Sequence, residues 1–452
     1  MADINGDGLV DMIVAKGSFS AGSRVLINTG NGWYSDNAWV QDNCDFINLG
    51  TRLIDVDADT MMDFMIHYNG NSPVFYRNQG KPVDLLASIN NNYGGIKTYT
   101  YGASGEFTQT FMPFSIAVLK SVNDSNSLGD NYLTQYKYEN GLWVPPAPIN
   151  AGNIFESRSF RGFGKVTVTD HAGNNTEQEF DQTFSFNGRL KKEKKFSGSS
   201  LLMTEATNTW NKYTINTGID FIFLNHALSC TFNTAQDTKC SKSRFTYDSD
   251  TKLGNLKQIT HWGEVDSQGA DTGTDKFDVY IDYVNNASSL HLLGFPKTVT
   301  LTDFNGVDIR KTFLSYDGLA NGTAPVKGLL TKEERWAGGA PAVNPVTTYT
   351  YNGFGLPVTT TDPLNHTTTI VYDGQYGIFP VTVTNHLGHT NKTEYYGVAG
   401  VTGNSNLNGL WSQVKSQEDP NIVKTFFGYD VFGRSIKTVS ALDSESLPTT
   451  QI

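Results

Sequence analysis

The chain has little of what would staple, charge or anchor it. Only three cysteines, Cys44, Cys230 and Cys240, occur in 452 residues, so disulfides are not the main source of stability in a chain long enough to bury its own core. A Cys230 to Cys240 bridge and a pair of free thiols are both compatible with that spacing. Charged residues make up 17%, below the roughly 25% of ordinary soluble domains. The balance of 34 basic against 45 acidic side chains leaves a net charge of -11. Lys and Arg are scattered except for Lys191, Lys192, Lys194 and Lys195, which makes duplex nucleic acid a poor partner. No apolar run approaches the roughly 18 to 20 residues of a membrane-crossing helix. The opening Met1-Ala-Asp-Ile-Asn5 has neither the basic nor the apolar region of a signal peptide.

Catalytic signatures are also missing. There is no Gly-x-Ser-x-Gly, P-loop, His-Glu-x-x-His or Cys-x-x-Cys, which argues against an enzyme of those classes. His386-Leu-Gly-His389 is the nearest thing to a metal pair. With no third ligand near it in sequence, it reads as a polar turn rather than a zinc site. Paired carboxylates for glycoside hydrolysis depend on a separation that sequence does not fix, and the densest acids fall in loops with a different logic.

What is present favours β-structure: aromatics are 12% and glycines number 44 against 15 prolines, a mixture suited to short strands and frequent turns. Near the N-terminus a unit repeats. Asp3-Ile-Asn5-Gly-Asp7-Gly8-Leu9-Val-Asp11 precedes Arg24-Val-Leu-Ile-Asn28-Thr-Gly30, and Asp55-Val-Asp57-Ala-Asp59-Thr60-Met61-Met-Asp63 precedes Val74-Phe-Tyr-Arg-Asn78-Gln-Gly80. The acidic motifs lie 52 residues apart and the Asn-x-Gly signatures 50 apart, a period that suits one propeller blade. Oxygen ligands at alternate positions of a tight loop converge on a hard cation, and calcium is the natural one. The expected ligands are Asp3, Asn5, Asp7, the Leu9 carbonyl and Asp11, then Asp55, Asp57, Asp59, the Met61 carbonyl and Asp63. The competing reading is that these acids only make Asx turns. Val14 and Ile66 stand where an EF-hand has its bidentate Glu, so a strand rather than a helix follows each loop. Thr60 replaces Gly8, which predicts a more strained second turn.

From Ile89 to about Tyr213, period-two stretches such as Ile96-Lys-Thr-Tyr-Thr-Tyr101, Phe114-Ser-Ile-Ala-Val-Leu119, Thr134-Gln-Tyr-Lys-Tyr138, Lys165-Val-Thr-Val-Thr169 and Thr176-Glu-Gln-Glu-Phe180 predict strands. The proline-rich Val144-Pro-Pro-Ala-Pro148 predicts an exposed loop. Phe160-Arg161-Gly162-Phe163-Gly164 fits a base-stacking surface, but the acidic balance favours a glycine-hinged bend with buried aromatics. Beyond Asn187 a second grammar appears, with a threonine-rich strand, an Asp or Asn turn and a strand ending in Tyr-Asp or Tyr-Tyr. Phe295 to Asp317, Leu356 to Asp373 and Phe379 to Tyr396 are the clearest copies, with partial copies at Phe245-Thr-Tyr-Asp248 and Phe427-Gly-Tyr-Asp430. Each unit is a hairpin that cannot stand alone but can extend a long sheet.

These second units resemble Rhs or YD repeats, and the acidic units resemble FG-GAP-type propeller blades. Their order, with Gly94-Gly-Ile-Lys-Thr-Tyr99, Met112-Pro-Phe114, Tyr136-Lys-Tyr138 and Arg161-Gly-Phe-Gly164 between them, resembles the middle of insecticidal toxin-complex B components. The resemblance implies an all-β chain: partial propeller blades over residues 1–88, a β-sandwich-like segment over 89–213 and a YD-repeat sheet strip over 214–452. It implies a secreted, non-enzymatic shell that, with a C component, encloses a toxic polypeptide and docks onto a pore-forming A component. Only two blade-like units are visible, fewer than the four a closed propeller needs, and the C-terminus resembles no toxin domain, so the chain reads as an internal piece of a longer protein. The alternative is a secreted or cell-surface repeat module that binds glycans or proteins.

Overall fold

A computed structural model of the chain describes residues 4–5, 9–14, 24–36, 52–57, 59–66, 73–78, 85–91, 94–126, 128–145, 159–234, 237–249, 252–287, 290–338, 343–398 and 411–451. Asp3, Asp7, Gly8, Cys44 and residues 146–148 of the proline-rich stretch lie outside the described residues. The chain is all-β, with antiparallel strands throughout its sheets. It divides into two compact units: Met1–Ser243 with Gly263–Thr272, and Arg244–Trp262 with Gly273–Ile452.

In the first unit each acidic repeat feeds a three-stranded antiparallel sheet. One holds Met12–Val14, Arg24–Asn28 and Trp33–Asp36, the other Arg52–Ile54, Asp63–Ile66 and Val74–Tyr76. Alternation in Arg24–Asn28 buries Val25 and Ile27 against Ile4, the period-two pattern of a strand with one covered face. From Ser88–Asn90 onward, successive strands pair in order: Ile96–Ala103, Ala117–Ser125, Asn131–Val144, Ser159–Thr169, Asn175–Phe180, Leu190–Phe196, Leu202–Asn216 and Ile219–Thr234. The strand expected from Phe114 begins only at Ala117. Leu202–Asn216 runs without a break across the boundary expected at 213/214. Cys230 and Cys240 are bonded to each other and buried, which decides between the two readings of that pair.

Arg161-Gly-Phe-Gly lies inside a strand rather than at a turn. Gly141 pairs with Phe163 while Trp143 pairs with Phe160, so the Ser159–Thr169 strand carries one extra residue. Gly162 accommodates this bulge at φ +77°. Phe160 packs edge-on to Phe163 and Phe114 at 5.7 and 5.6 Å. Arg161 is buried, with its guanidinium 5.0 Å from the Phe184 ring. The bulge supplies the glycine-hinged bend, but its aromatics are not buried: Phe160 and Phe163 are half-buried and Phe114 is 36% exposed.

The second unit is a ladder of hairpins. Leu292–Thr302 pairs with Asp308–Tyr316, Pro357–Thr361 with Thr367–Tyr372, Pro380–Thr384 with Thr390–Tyr395, and Val414–Glu418 with Lys424–Tyr429. Every intervening pair is also antiparallel, so each hairpin hydrogen-bonds to the next. One turn design recurs at Asp303, Asn352, Asp362, Asn385, Asp419 and Asp430. The first residue's N–H donates to the fifth residue's carbonyl, and its own carbonyl accepts from the fourth residue's N–H. Its side-chain oxygen accepts the third and fifth N–H groups, as Asp362 does from Leu364 and His366 at 2.8 and 2.9 Å. The fourth residue is left-handed, which is the type I turn plus bulge of a three-residue hairpin.

Candidate functional site

Among the described residues, the two acidic loops share one brace, made by the ninth residue of each. Asp11 is fully buried and uses both oxygens: Oδ2 accepts the Ile4 N–H at 2.8 Å and Oδ1 accepts the Asn28 N–H at 2.8 Å. Asp63, also fully buried, accepts from Val56 at 2.8 Å and from Asn78 at 2.7 Å. The ninth residue of each loop thus ties its second residue to the end of the strand after next. Asn28 and Asn78 serve this brace, and the latter reaches further, its Nδ2 donating to the Ile4 carbonyl at 2.7 Å. That bond joins the second repeat to the first. The 50-residue spacing of the Asn-x-Gly signatures was the trace of these residues in the sequence.

Among the described residues, carboxylate oxygens of Asp55, Asp57 and Asp63 lie within 4.8 Å of one another. Asp55 accepts the N–H groups of Asp59 and Thr60 at 3.1 and 3.0 Å, and Asp59 accepts that of Met61 at 2.8 Å. Asp57 also lies 3.5 Å from an Arg77 nitrogen. The acids therefore make Asx turns, and the same turns gather three carboxylates. Each carboxylate oxygen that accepts one N–H keeps a second lone pair, so the turn bonding and a hard cation are compatible. Thr60 is strained at φ +82°, as the exchange of glycine for a β-branched residue requires. In the first loop Asn5, Leu9 and Asp11 are described, while Asp3 and Asp7 are not.

The hairpin array has its own recurring chemistry. The hydroxyls of Tyr372, Tyr395 and Tyr429 donate to the carbonyls of Pro357, Pro380 and Val414 at 2.9, 3.2 and 2.9 Å, each 15 residues back. Tyr316 and Tyr351 do the same to Pro296 and Leu330 at 2.8 and 2.6 Å. The terminal Tyr of each unit is therefore a pin that locks the unit's last strand to the start of its first. In two units the Asp that follows is a cradle, whereas Asp430 opens a hairpin turn. Asp373 accepts four backbone N–H groups, from Gln375, Tyr376, Ile378 and Phe379, and Asp317 accepts four from Val326, Lys327, Gly328 and Leu329. Burial pushes both carboxyls up, yet the N–H donors together outweigh it and hold them below the usual carboxylate range.

One face of this ladder is lined by threonines that pair across strands. Thr350 meets Thr359 at 2.7 Å, Thr361 meets Thr367 at 2.8 Å and Thr384 meets Thr390 at 3.0 Å. The same face continues into ion pairs, Lys392 with Glu418 at 2.7 Å and Lys424 with Glu394 at 2.9 Å. These pairs are partly solvated, so each contributes about 0.2–1 kcal/mol. Side chains on both faces are half-buried: every residue of Pro380–Thr384 has intermediate exposure. Among the described residues of this unit, Tyr316, Pro325, Val398 and Val439 are the buried apolar ones.

Residues 28–194 match the family model described as the insecticide toxin TcdB middle/N-terminal region, a little over a third of the chain. No curated protein sequence matches. Among solved structures, the fold is similar to that of TcdB2-TccC3 without its hypervariable C-terminal region, with a TM-score of 0.66 at 13% identity over 97% of this chain and 28% of that one. TcdB2-TccC3 itself gives a TM-score of 0.66 and 13% identity over 97% of this chain and 29% of that one. A Tc holotoxin pore of Photorhabdus luminescens gives 0.66 and 12% over 97% and 28%. The chain thus spans less than a third of the length of the solved chains it matches. At these identities the likeness is one of fold, while the family model ties residues 28–194 to the middle/N-terminal region of TcdB-type toxins.

Proposed function

We propose that the chain is part of a toxin-complex B component and serves as a non-enzymatic length of shell wall. The observation that carries this reading is the shared fold with TcdB2-TccC3 over 97% of the chain. The ladder's chemistry supports it, since hydroxyls paired across strands and carboxylates cradled by backbone satisfy polar groups on a sheet whose side chains are half-buried. On this reading the longer protein is secreted, joins a C component to enclose a toxic polypeptide, and docks onto a pore-forming A component through its propeller side. The acidic units are FG-GAP-like blade pieces, the hairpins are Rhs/YD repeats, and calcium has a structural role. Asp55, Asp57, Asp59, Asp63 and the Met61 carbonyl hold one ion, and Asp3, Asn5, Asp7, Asp11 and the Leu9 carbonyl hold another. Calcium neutralises carboxylates packed within one turn and pins the loop to its strand.

Co-assembly of the full-length protein with a C-type partner, followed by protease digestion, tests the shell. Enclosed polypeptide is expected to survive while free polypeptide is cut. Equal cutting after demonstrated assembly refutes encapsulation. For the ion, melting in calcium against chelator is the measurement: a higher Tm in calcium is expected, and Asp7→Ala with Asp59→Ala removes the difference. Identical melting of the parent in both buffers removes calcium from the account.

A further inference from the structure

Where one hairpin of the second unit meets the next, the strand pairing slips, and the slip falls on the pinned tyrosines. Val371 faces Thr382 but Tyr372 faces Pro380, so Val381 is an extra residue on the partner strand. Thr350 faces Thr359 but Tyr351 faces Pro357, and Glu394 faces Ser416 but Tyr395 faces Val414. The same shift precedes Tyr283, Tyr316 and Tyr429. Each is a β-bulge, which bends its strand and interrupts the ladder of backbone hydrogen bonds. The prolines follow from this. Pro296, Pro357 and Pro380 all stand opposite a tyrosine at a bulge, a place inside a sheet where a residue without an N–H is tolerated.

The hydroxyl bonds connect these bulges in series. Leu330, faced by Tyr316, gives its carbonyl to the Tyr351 hydroxyl at 2.6 Å. Tyr351 faces Pro357, whose carbonyl accepts from Tyr372 at 2.9 Å. Tyr372 faces Pro380, whose carbonyl accepts from Tyr395 at 3.2 Å. Tyr395 faces Val414, whose carbonyl accepts from Tyr429 at 2.9 Å. Each of these tyrosines holds one bulge with its backbone and the preceding one with its hydroxyl. We infer that the tyrosines and bulges form one seam along the Tyr-Asp edge of the ladder, which fixes strand register and couples each hairpin to the one before it. Register matters here because a slip of one residue turns every side chain of a strand to the other face. Loss of one hydroxyl bond frees the carbonyl of the preceding bulge, and with it the strand start that the previous tyrosine faces, so loosening passes into the preceding repeat. The acceptors are backbone carbonyls, so the coupling survives different side chains at Leu330, Pro357, Pro380 and Val414.

Native-state hydrogen exchange of the full chain, read by mass spectrometry, tests the seam. Tyr372→Phe is expected to speed exchange about 2- to 10-fold, as the loss of one hydrogen bond implies. The effect is expected in its own hairpin, Pro357–Thr361 with Thr367–Tyr372, and also in Leu330–Arg335, two strands further back. Thr361→Val removes the Thr361–Thr367 bond at the other end of the same hairpin and is expected to leave Leu330–Arg335 unchanged. An effect of Tyr372→Phe confined to its own hairpin, or an equal spread from Thr361→Val, overturns the seam. The bulges are tested separately. Ser435 faces Tyr429 directly after turn 430–434, the place that Pro357 holds after turn 352–356. Ser435→Pro is expected to keep the parent Tm, whereas Thr438→Pro, in the same strand with a paired neighbour on each side, lowers it. Equal losses in the two variants overturn the assignment of the bulge. None of these outcomes bears on encapsulation.

Discussion

Replacing Ile422 by glycine is expected to stabilise the protein, and the size of the effect can be worked from the neighbouring turns. The fourth turn position is left-handed at Gly306, Gly355, Asn365, Gly388 and Gly433, with φ between +64° and +81°. Ile422 holds the same place at φ +66°. A left-handed conformation costs an L-residue about 1–2 kcal/mol, with β-branched side chains among the worst suited. Glycine returns about 0.4–1 kcal/mol of that through the greater freedom of its unfolded chain. Ile422 is 79% exposed, so little burial is lost, and the net gain is about 0.5–1 kcal/mol. The control runs the other way. Gly388 has φ +81° and no heavy atom within 4 Å of an added Cβ, so Gly388→Ile isolates the backbone cost and is expected to destabilise by a similar amount. Native-state hydrogen exchange of the flanking strands Lys424–Tyr429 and Thr390–Tyr395 measures both locally. Slower exchange in Ile422→Gly and faster exchange in Gly388→Ile are expected. Unchanged exchange in both refutes the assignment of strain to this position.

Three further outcomes follow from the same geometry. Asp373 has a folded pKa below its unfolded value, so its stabilisation is present above the ordinary carboxylate range and is lost as pH falls through the folded value. Asp373→Asn should cost about 1–3 kcal/mol at neutral pH, because an amide nitrogen faces N–H donors, and should flatten that part of the acid unfolding curve. Tyr372→Phe removes one hydroxyl bond to Pro357 and should cost about 0.5–1.5 kcal/mol by urea titration; no loss would make the pin decorative. Asn78→Ala strands the buried Ile4 carbonyl and should speed exchange at both acidic repeats rather than the second alone. An effect confined to Asp63–Ile66 would show that the repeats are not joined through this side chain.

Legibility differed between features for physical reasons. Strand existence was plain wherever alternation was plain, as in Ile96–Ala103, but the start of Ala117–Ser125 was misjudged because the preceding Phe114 packs against Trp143 at 5.4 Å without entering the sheet. The acidic loops were visible as spacing, yet the roles of Asn28 and Asn78 were not, since a backbone N–H that ties a strand end to a loop leaves no mark beyond a recurring residue. The same limit hid the stacking of the His366 and His386 rings, 4.0 Å apart, which depends on two hairpins lying side by side.

The Tyr-Asp ending has a different status, because its chemistry explains why the sequence could repeat at all. A sheet with both faces half-exposed gains little from a thick apolar core, so each hairpin must be held by bonds within its own reach. The tyrosine hydroxyl closes the hairpin's far edge 15 residues back, and the aspartate that follows at 373 gathers four N–H groups of the connecting loop. Both contacts are local, and neither asks for a particular residue in the neighbouring unit. Units built this way can be added in series with inserted loops of different length, as between Tyr395 and Val414, while the strand ladder continues through Tyr395 and Val414. Such a ladder is suited to a wall that must be long and thin. On the reading proposed above, assembly would supply the cover for its half-exposed faces.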